Sequence, residues 1–312
     1  MKLSIVTTLY QSSLYLEEFC QRAKKVAERY AGDSYEIILV NDGSPDDSLD
    51  LAKSISSVDK NIVVVDLSRN FGHHKAMMIG LEYATGEHVF LVDSDLEEEP
   101  EWLPQFHDLL VAEGSDVVYG IQKKRKGGLF EQVTGTMFYR LFRRLTGINQ
   151  SDNIVTARLM SRRYVDALLM HRERELNIGG LWVVTGFKQI SVLVKKHATS
   201  PTTYSLSKKF SHLVNAVTSF SSLPLVFTFY AGLIISISAL LFIVYLVFKY
   251  LFVATPPSGY TSIIASVWFF SGLIIFFVGI QGIYISKVFI EVKRRPYAIV
   301  RDVFRSDDHE GK

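Results

Sequence analysis

The sequence predicts an α/β protein: a mostly parallel, Rossmann-like sheet with helices on both faces, followed by a C-terminal transmembrane hairpin of two helices. Three observations carry this prediction. Short apolar runs alternate with amphipathic helical patterns along the N-terminal part of the chain. Polar motifs follow those apolar runs directly. The charge is unevenly spread: of 34 Lys and Arg and 32 Asp and Glu among 312 residues, only Lys249 lies between Leu213 and Ser286.

Taken in order, Leu3–Thr8 reads as a strand, Leu14–Tyr30 as an amphipathic helix and Tyr35–Val40 as a strand. Ser48–Ser56 follows as a helix, Ile62–Leu67 as a strand, Lys75–Ala84 as a helix and His88–Val92 as a strand. Trp102–Glu113 is then a helix and Val117–Tyr119 a short strand. Strands separated by helices pair in parallel and carry helices on both faces. Ligands of such sheets bind beyond the C-terminal strand ends. The polar motifs Thr7-Thr8-Leu9-Tyr10, Asn41-Asp42-Gly43-Ser44, Ser68-Arg69-Asn70-Phe71-Gly72 and Asp93-Ser94-Asp95 fall there.

Leu213–Phe248 and Tyr250–Ser286 contain no Asp, Glu, Lys, Arg or His. A bilayer core needs about 20 apolar residues in a helix, so each stretch holds one span, Leu225–Phe248 and Ile263–Ser286, with Pro256-Pro257-Ser258-Gly259 as the turn. Lys208, Lys209 and His212 precede the hairpin and Lys287, Lys293, Arg294 and Arg295 follow it. The positive-inside rule then puts the body and both termini in the cytoplasm, at the inner or plasma membrane. The expected organisation is a cytosolic domain over 1–210, a juxtamembrane segment over 211–224, two spans within 225–286 and a cytosolic tail over 287–312, polar and little ordered from Pro296 on. Met1–Val6 has no signal-peptide apolar region.

With 48% hydrophobic residues the chain is not disordered. Its single cysteine, Cys20, forms no internal disulfide, and a net charge of +2 gives no reason to expect nucleic acid as a partner. Asp93 and Asp95, two residues apart at a strand end, suit one hard cation, Mg²⁺ or Mn²⁺, whose remaining positions go to phosphates and water. Glu97 has the spacing to join that shell, whereas Glu97–Glu99 also read as an acidic first helical turn. Asp42 suits a donor N–H of a base. Alternatively, it belongs with Ser44, Asp46 and Asp47 to a helix N-cap cluster.

Ser4–Tyr10, Glu36–Ser44, Leu67–Gly72 with Lys75–Gly80, and Phe90–Pro100 together resemble a family-2 glycosyltransferase of the GT-A type. Arg158-Leu159-Met160, Gly180-Leu181-Trp182, Gly186-Phe187, Thr203–Leu206, Ala216–Ser221, the hairpin and Glu291–Pro296 extend the resemblance to the polyprenyl-phosphate hexosyltransferase branch, which contains the dolichol-phosphate mannose synthases and bactoprenol glucosyltransferases. The resemblance implies that Thr8, Tyr10 and Asp42 hold the nucleotide, Asp42 through the base. It implies that Asp93 contacts the ribose or diphosphate and that Asp95 ligates the cation. The donor is then a nucleotide sugar, with UDP as leaving group, and the acceptor a polyprenyl phosphate such as undecaprenyl phosphate.

Three departures from the family pattern stand out. Thr8-Leu9-Tyr10-Gln11-Ser12 lacks an acidic ribose contact, Glu97 replaces a frequent Gln, and Thr156-Ala157-Arg158 replaces a frequent Asp-Phe-Arg. A hydroxyl acceptor needs a carboxylate base, whereas a phosphate is already anionic. The loss of that Asp therefore favours a phosphate acceptor, although Glu97, Glu98 and Asp152 are alternative bases. Cations for the acceptor or for anionic headgroups are Lys123, Lys124, Arg125, Lys126, Arg140, Arg143, Arg144 and Arg158, with Phe138–Leu145 as an interfacial helix. Arg158 has the first claim to acceptor or diphosphate contact. His73-His74 is not expected to be a metal pair, and Trp182 reads as core or as donor-pocket wall. The competing expectations are addition of a sugar to a lipid-linked saccharide and an inactive, membrane-tethered nucleotide-sugar-binding scaffold. Tethered relatives often form homo-oligomers.

Overall fold

In the computed structural model, residues 2–122, 144, 153–174, 176–197, 214, 217–253 and 259–306 are described. β1 (Leu3–Leu9), β2 (Tyr35–Asn41) and β3 (Ile62–Leu67) are buried at every position. Such strands read as continuous apolar runs because helices cover both faces. One layer packs α1 (Ser13–Ala31), α2 (Ser48–Val58) and α4 (Leu103–Glu113) on Ile5, Ile37, Leu39, Phe90 and Leu159. The other packs α3 (His73–Tyr83), α5 (Arg162–Leu169) and α6 (Ile178–Val184) on Val6, Ile38, Val40, Leu91 and Met160. Neighbouring residues of one strand thus enter opposite cores, as a period of two requires.

The sheet has eight strands in the order β7-β5-β6-β4-β1-β2-β3-β8. β4 is His88–Leu91, β5 Val117–Gln122, β6 Ile154–Ser161, β7 Gln189–Val194 and β8 Val300–Phe304. β1 pairs in parallel with β2 and β4, β2 with β3, and β5 with β7. β6 runs antiparallel between β4 and β5, so its N-terminal end lies at the same edge as the C-terminal ends of β1, β4, β5 and β7.

Most elements of the body differ from the sequence expectation by one or two residues at their bounds; α3, for example, begins at His73, and the largest shift takes β5 on to Gln122. The tail is the larger difference. Val300–Phe304, expected to be little ordered, adds an antiparallel strand to β3. Arg301 makes the pairing specific, with Nε 2.7 Å from Asp66 Oδ2, and Asp66 also accepts from Asn41 Nδ2 at 2.8 Å. Asp66 is 1% exposed, so its charge has no water to fall back on.

α7 (Leu223–Val253) and α8 (Tyr260–Val292) are long and apolar enough to cross a membrane, with windows of mean hydropathy 2.3 and 2.1 that are almost wholly unburied. Their base is tied to the body. Tyr284 Oη donates to the Ser221 carbonyl at 2.6 Å, Lys287 Nζ to Ser219 Oγ at 3.0 Å, and the Arg174 N–H to Glu291 Oε1 at 2.7 Å. Gly180 lies so close to Phe220 that a Cβ would meet its ring at 2.3 Å.

Replacing Arg301 with Ala should lower the thermal midpoint of the full chain in detergent by several degrees. The stability lost should be about 2 kcal/mol, the scale of a charge-assisted hydrogen bond removed from a buried group. Differential scanning fluorimetry checks this, with Asp302→Ala on the same strand as the comparison.

Candidate active site

The edge that gathers the C-terminal strand ends also gathers the acidic motif. β4 delivers Asp93-Ser94-Asp95 beside the end of β1. Ser94 points inward and is 4% exposed, donating to the Thr8 carbonyl at 2.9 Å and meeting Ser12 Oγ at 3.1 Å. That anchoring leaves the flanking Asp93 and Asp95 directed away from the core. Leu96 then takes φ 57°, a left-handed conformation that costs a non-glycine residue about 1–2 kcal/mol. It turns the chain so that Asp95 Oδ1 accepts from the Glu97 N–H at 3.0 Å.

Glu98 folds back into the body and is 0% exposed. Its two oxygens accept from the Thr156 and Ala157 N–H groups at 3.0 and 2.7 Å, joining the motif to the start of β6. The Thr156 side chain, together with His73 and Lys196, helps to lower the Asp93 pKa.

The countercharge is Lys196, a residue that the sequence reading did not single out. The chain leaving β7 crosses the edge, with the His197 N–H on the Glu97 carbonyl at 2.9 Å. This sets Lys196 Nζ at 3.3 Å from both Glu97 Oε2 and Glu98 Oε1, and at 4.0 Å from Asp93 Oδ2. Burial opposes its charge, but Glu98, Asp93, Asp95 and Glu97 outweigh burial and raise its pKa. The missing sequence signal is understandable. Lys196 lies about 100 positions from its partners and belongs to no motif.

His73, at the start of α3, bridges Thr8 Oγ1 at 2.9 Å and Asp93 Oδ1 at 3.4 Å. Burial works to lower its pKa, and Asp93 reverses this to a net upward shift. The same partnership, with Lys196, holds Asp93 below the usual carboxylate range against the cost of burial. Asp95 moves the other way, raised by burial and then by the Asp93 charge. The two carboxylates of the motif thus occupy unlike electrostatic environments.

The proximity of these groups also tests the cation expectation. Among the described residues no three Asp, Glu, His or Cys side chains already converge as ligands. A site of one or two carboxylates completed by phosphate and water needs no such triad. The Lys196 ammonium lies among Asp93, Glu97 and Glu98, and the oxygens of Asp93, Asp95 and Glu97 are of the kind that Mg²⁺ or Mn²⁺ takes.

The other expected residues are placed as follows. Asp42 is 2% exposed, and its oxygens accept from the Phe71 and Gly72 N–H groups at 2.7 and 3.0 Å, fastening the turn into α3. Burial raises its pKa despite those bonds. Work at the start of α2 falls to Asp46, which takes Ser44 Oγ and Ser48 Oγ at 2.5 and 2.6 Å. Gly43, at φ 59°, is required because a Cβ would lie 2.4 Å from the Asn70 nitrogen. Tyr10 is half exposed on the rim beside Thr8. Arg158 is fully buried on the α6 side of β6, over the Trp182 ring. Arg125 and Arg140, with Lys123, Lys124, Lys126, Arg143 and Asp152, lie outside the described residues.

The profile of Glycosyl transferase family 2 matches residues 4–169. A protein of Mycobacterium tuberculosis described as a putative glycosyltransferase is 47% identical over 98% of this chain and 90% of its own length. An uncharacterized glycosyltransferase of Bacillus subtilis is 34% identical over 96% of this chain and 93% of its own. A prophage bactoprenol glucosyl transferase homolog of Escherichia coli is 27% identical over 97% of this chain and 99% of its own.

The acidic edge should impose a pH signature on stability. Burial, and then the Asp93 charge, raise the Glu98 pKa to about 7. A carboxyl raised on folding stabilises fully below its unfolded pKa, near 4.3, and loses that contribution as pH rises through about 7. Glu98→Gln has no such titration. Its thermal midpoint relative to the unaltered chain should therefore rise between pH 5 and pH 8, and a difference independent of pH would refute the assignment.

Proposed function

Given that the chain belongs to glycosyl transferase family 2, we propose that it transfers a hexose, with inversion, from a nucleotide sugar, UDP being the favoured nucleotide, to a polyprenyl phosphate at the cytoplasmic leaflet. The observation that carries this reading is one polar edge with two kinds of neighbour. On one side are Thr8, Tyr10 and Asp42, suited to a nucleotide. On the other is the base of two helices long enough to reach a lipid acceptor. The near full-length likeness to a bactoprenol glucosyl transferase homolog supports the same acceptor class.

Asp93 and Asp95, with Glu97, would hold Mg²⁺ or Mn²⁺, and the ion would supply Lewis-acid stabilisation of the charge that develops on the leaving diphosphate. Asp93 is kept ionised for this task by His73 and Lys196, and His73 is itself oriented by Thr8. A phosphate oxygen of the acceptor forms the new bond to the anomeric carbon. The bond from that carbon to the diphosphate breaks, and its electron pair leaves with the nucleotide. Attack opposite the leaving group turns an α-linked donor into a β-linked product.

No proton need be taken from the acceptor. This agrees with Thr at position 156, a hydroxyl beside Asp93 where a carboxylate could have served as base. A hydroxyl acceptor on a lipid-linked saccharide would require such a base. The positive flanks of the hairpin favour a cytoplasmic body.

Radiolabelled UDP-hexoses offered with undecaprenyl phosphate and Mg²⁺ or Mn²⁺ should give a labelled monosaccharide lipid. Asp95→Ala should reduce its formation on the order of 10²–10³-fold, as loss of a principal stabiliser of transition-state charge does. Failure to form that lipid with any nucleotide sugar of a panel would exclude this acceptor. Turnover unchanged in Asp95→Ala would exclude the cation site.

A further inference from the structure

Arg158 heads the largest fully buried side chains among the described residues, at 1% exposure. Its Nε donates to the Thr156 carbonyl at 3.2 Å and its Nη2 to the Val155 carbonyl at 3.4 Å, and its guanidinium lies over the Trp182 ring. Among the described residues no carboxylate forms an ion pair with it. Burial lowers its pKa to about 9, still above neutrality, so the group stays charged. Carbonyls and an aromatic face offset a buried guanidinium in part, but a buried charge ordinarily has a charged partner.

The space beside it has room for one. A cavity of about 250 Å³ is lined by Arg158, Tyr119, Ile154, Trp182, Phe187 and Gln189. The buried indole N–H of Trp182 has no hydrogen-bond partner. The cavity therefore sets a buried cation in an otherwise largely aromatic and aliphatic wall. That combination suits an anion carried on an apolar chain.

Its position points the same way. Arg158 lies across from Leu91, with Thr156 two residues nearer the catalytic edge. Both carbonyls bonded by the guanidinium are on that side, so the group leans toward the edge. Thr156 lies between the two sites, its N–H on Glu98 and its carbonyl on Arg158. Trp182 and Val183 of α6 line the cavity, and Gly180 of the same helix packs on Phe220, just ahead of the hairpin. Through α6, the cavity wall is joined to the segment just ahead of the hairpin.

We propose that this cavity is the seat of the acceptor phosphate, which pairs with Arg158 while the first units of its apolar chain lie along Ile154 and Phe187. The assignment rests on the polyprenyl phosphate reading above and gives that acceptor a place distinct from the donor diphosphate. A phosphate here is one strand from the cation-holding carboxylates, and Arg158 offsets its repulsion from them.

The test uses the full chain in detergent, with farnesyl phosphate, farnesol, inorganic phosphate and UDP with Mg²⁺ as probes. Farnesyl phosphate should change the Trp182 fluorescence, identified by its loss in Trp182→Phe, and farnesol should not. Arg158→Met should weaken farnesyl phosphate binding about 30-fold or more, the range for removing one member of a buried charge pair, with UDP affinity unchanged. Arg158→Lys, which keeps the charge but not the planar fork, should fall between.

Several results would overturn the assignment. Unchanged farnesyl phosphate affinity in Arg158→Met would do so, as would a parallel loss of UDP affinity, the mark of a merely structural arginine. Inorganic phosphate binding as tightly as farnesyl phosphate would replace the lipid with free phosphate. If Arg158→Met does not fold, Arg158→Lys and the wild-type fluorescence decide, and absence of a Trp182 response refutes the site. Should the wild type glycosylate some other acceptor and ignore farnesyl and undecaprenyl phosphate, the acceptor reading itself fails. Should it use them with an unchanged KM in Arg158→Met, only the cavity assignment fails.

Discussion

Mutual repulsion among Asp93, Asp95, Glu97 and Glu98 is the constraint around which the rest of the structure is arranged. Four carboxylates within six residues, one fully buried, have no reason to stay together unless other parts of the chain hold them. The fold answers with Lys196 from beyond β7, His73 from α3, and two N–H groups from β6. Each comes from a different part of the sequence, and the sheet order brings them to one edge. The strand that makes this possible is β6. Running antiparallel between β4 and β5, it presents its N-terminal backbone donors where the parallel strands present their C-terminal ends.

A site built in this way suits a cation that comes and goes with its substrate. The Lys196 ammonium compensates part of the negative charge of these residues. On the proposed reading, a small, doubly charged ion bearing phosphate oxygens would compete with it for the same oxygens. His73 and Lys196 also hold Asp93 ionised, whereas Asp95 is left closer to protonation.

The sequence was legible where structure is local. The first four strands and four helices announce themselves by period and by apolar runs, and the polar motifs by position after those runs. Asp93, Asp95 and Thr8 could be found in this way, and they do meet at one edge. Lys196 could not, because its role is set by a pairing of β7 with β5 that leaves no trace in its neighbours. Arg158 was visible as a motif residue, but its burial beneath Trp182 was not, since a charged residue in a strand ordinarily reads as exposed. The tail beyond Pro296 was misread for a related reason. Its strand carries two adjacent charges, Arg301 and Asp302, and makes sense only beside β3, where Asp66 meets Arg301.

That last strand means that the hairpin is an insertion within the body and not an appendage to it. The chain leaves the body near Phe220, traverses both long helices and returns to complete the sheet at β8. A chain cut just before the hairpin would lose a sheet strand with its anchor. It would present β3, apolar and normally buried along its whole length, as an open edge ready to pair with another molecule. Solubility cannot therefore be gained by shortening the protein from its C-terminus. It requires excising the two helices and splicing the chain so that β8 still reaches β3.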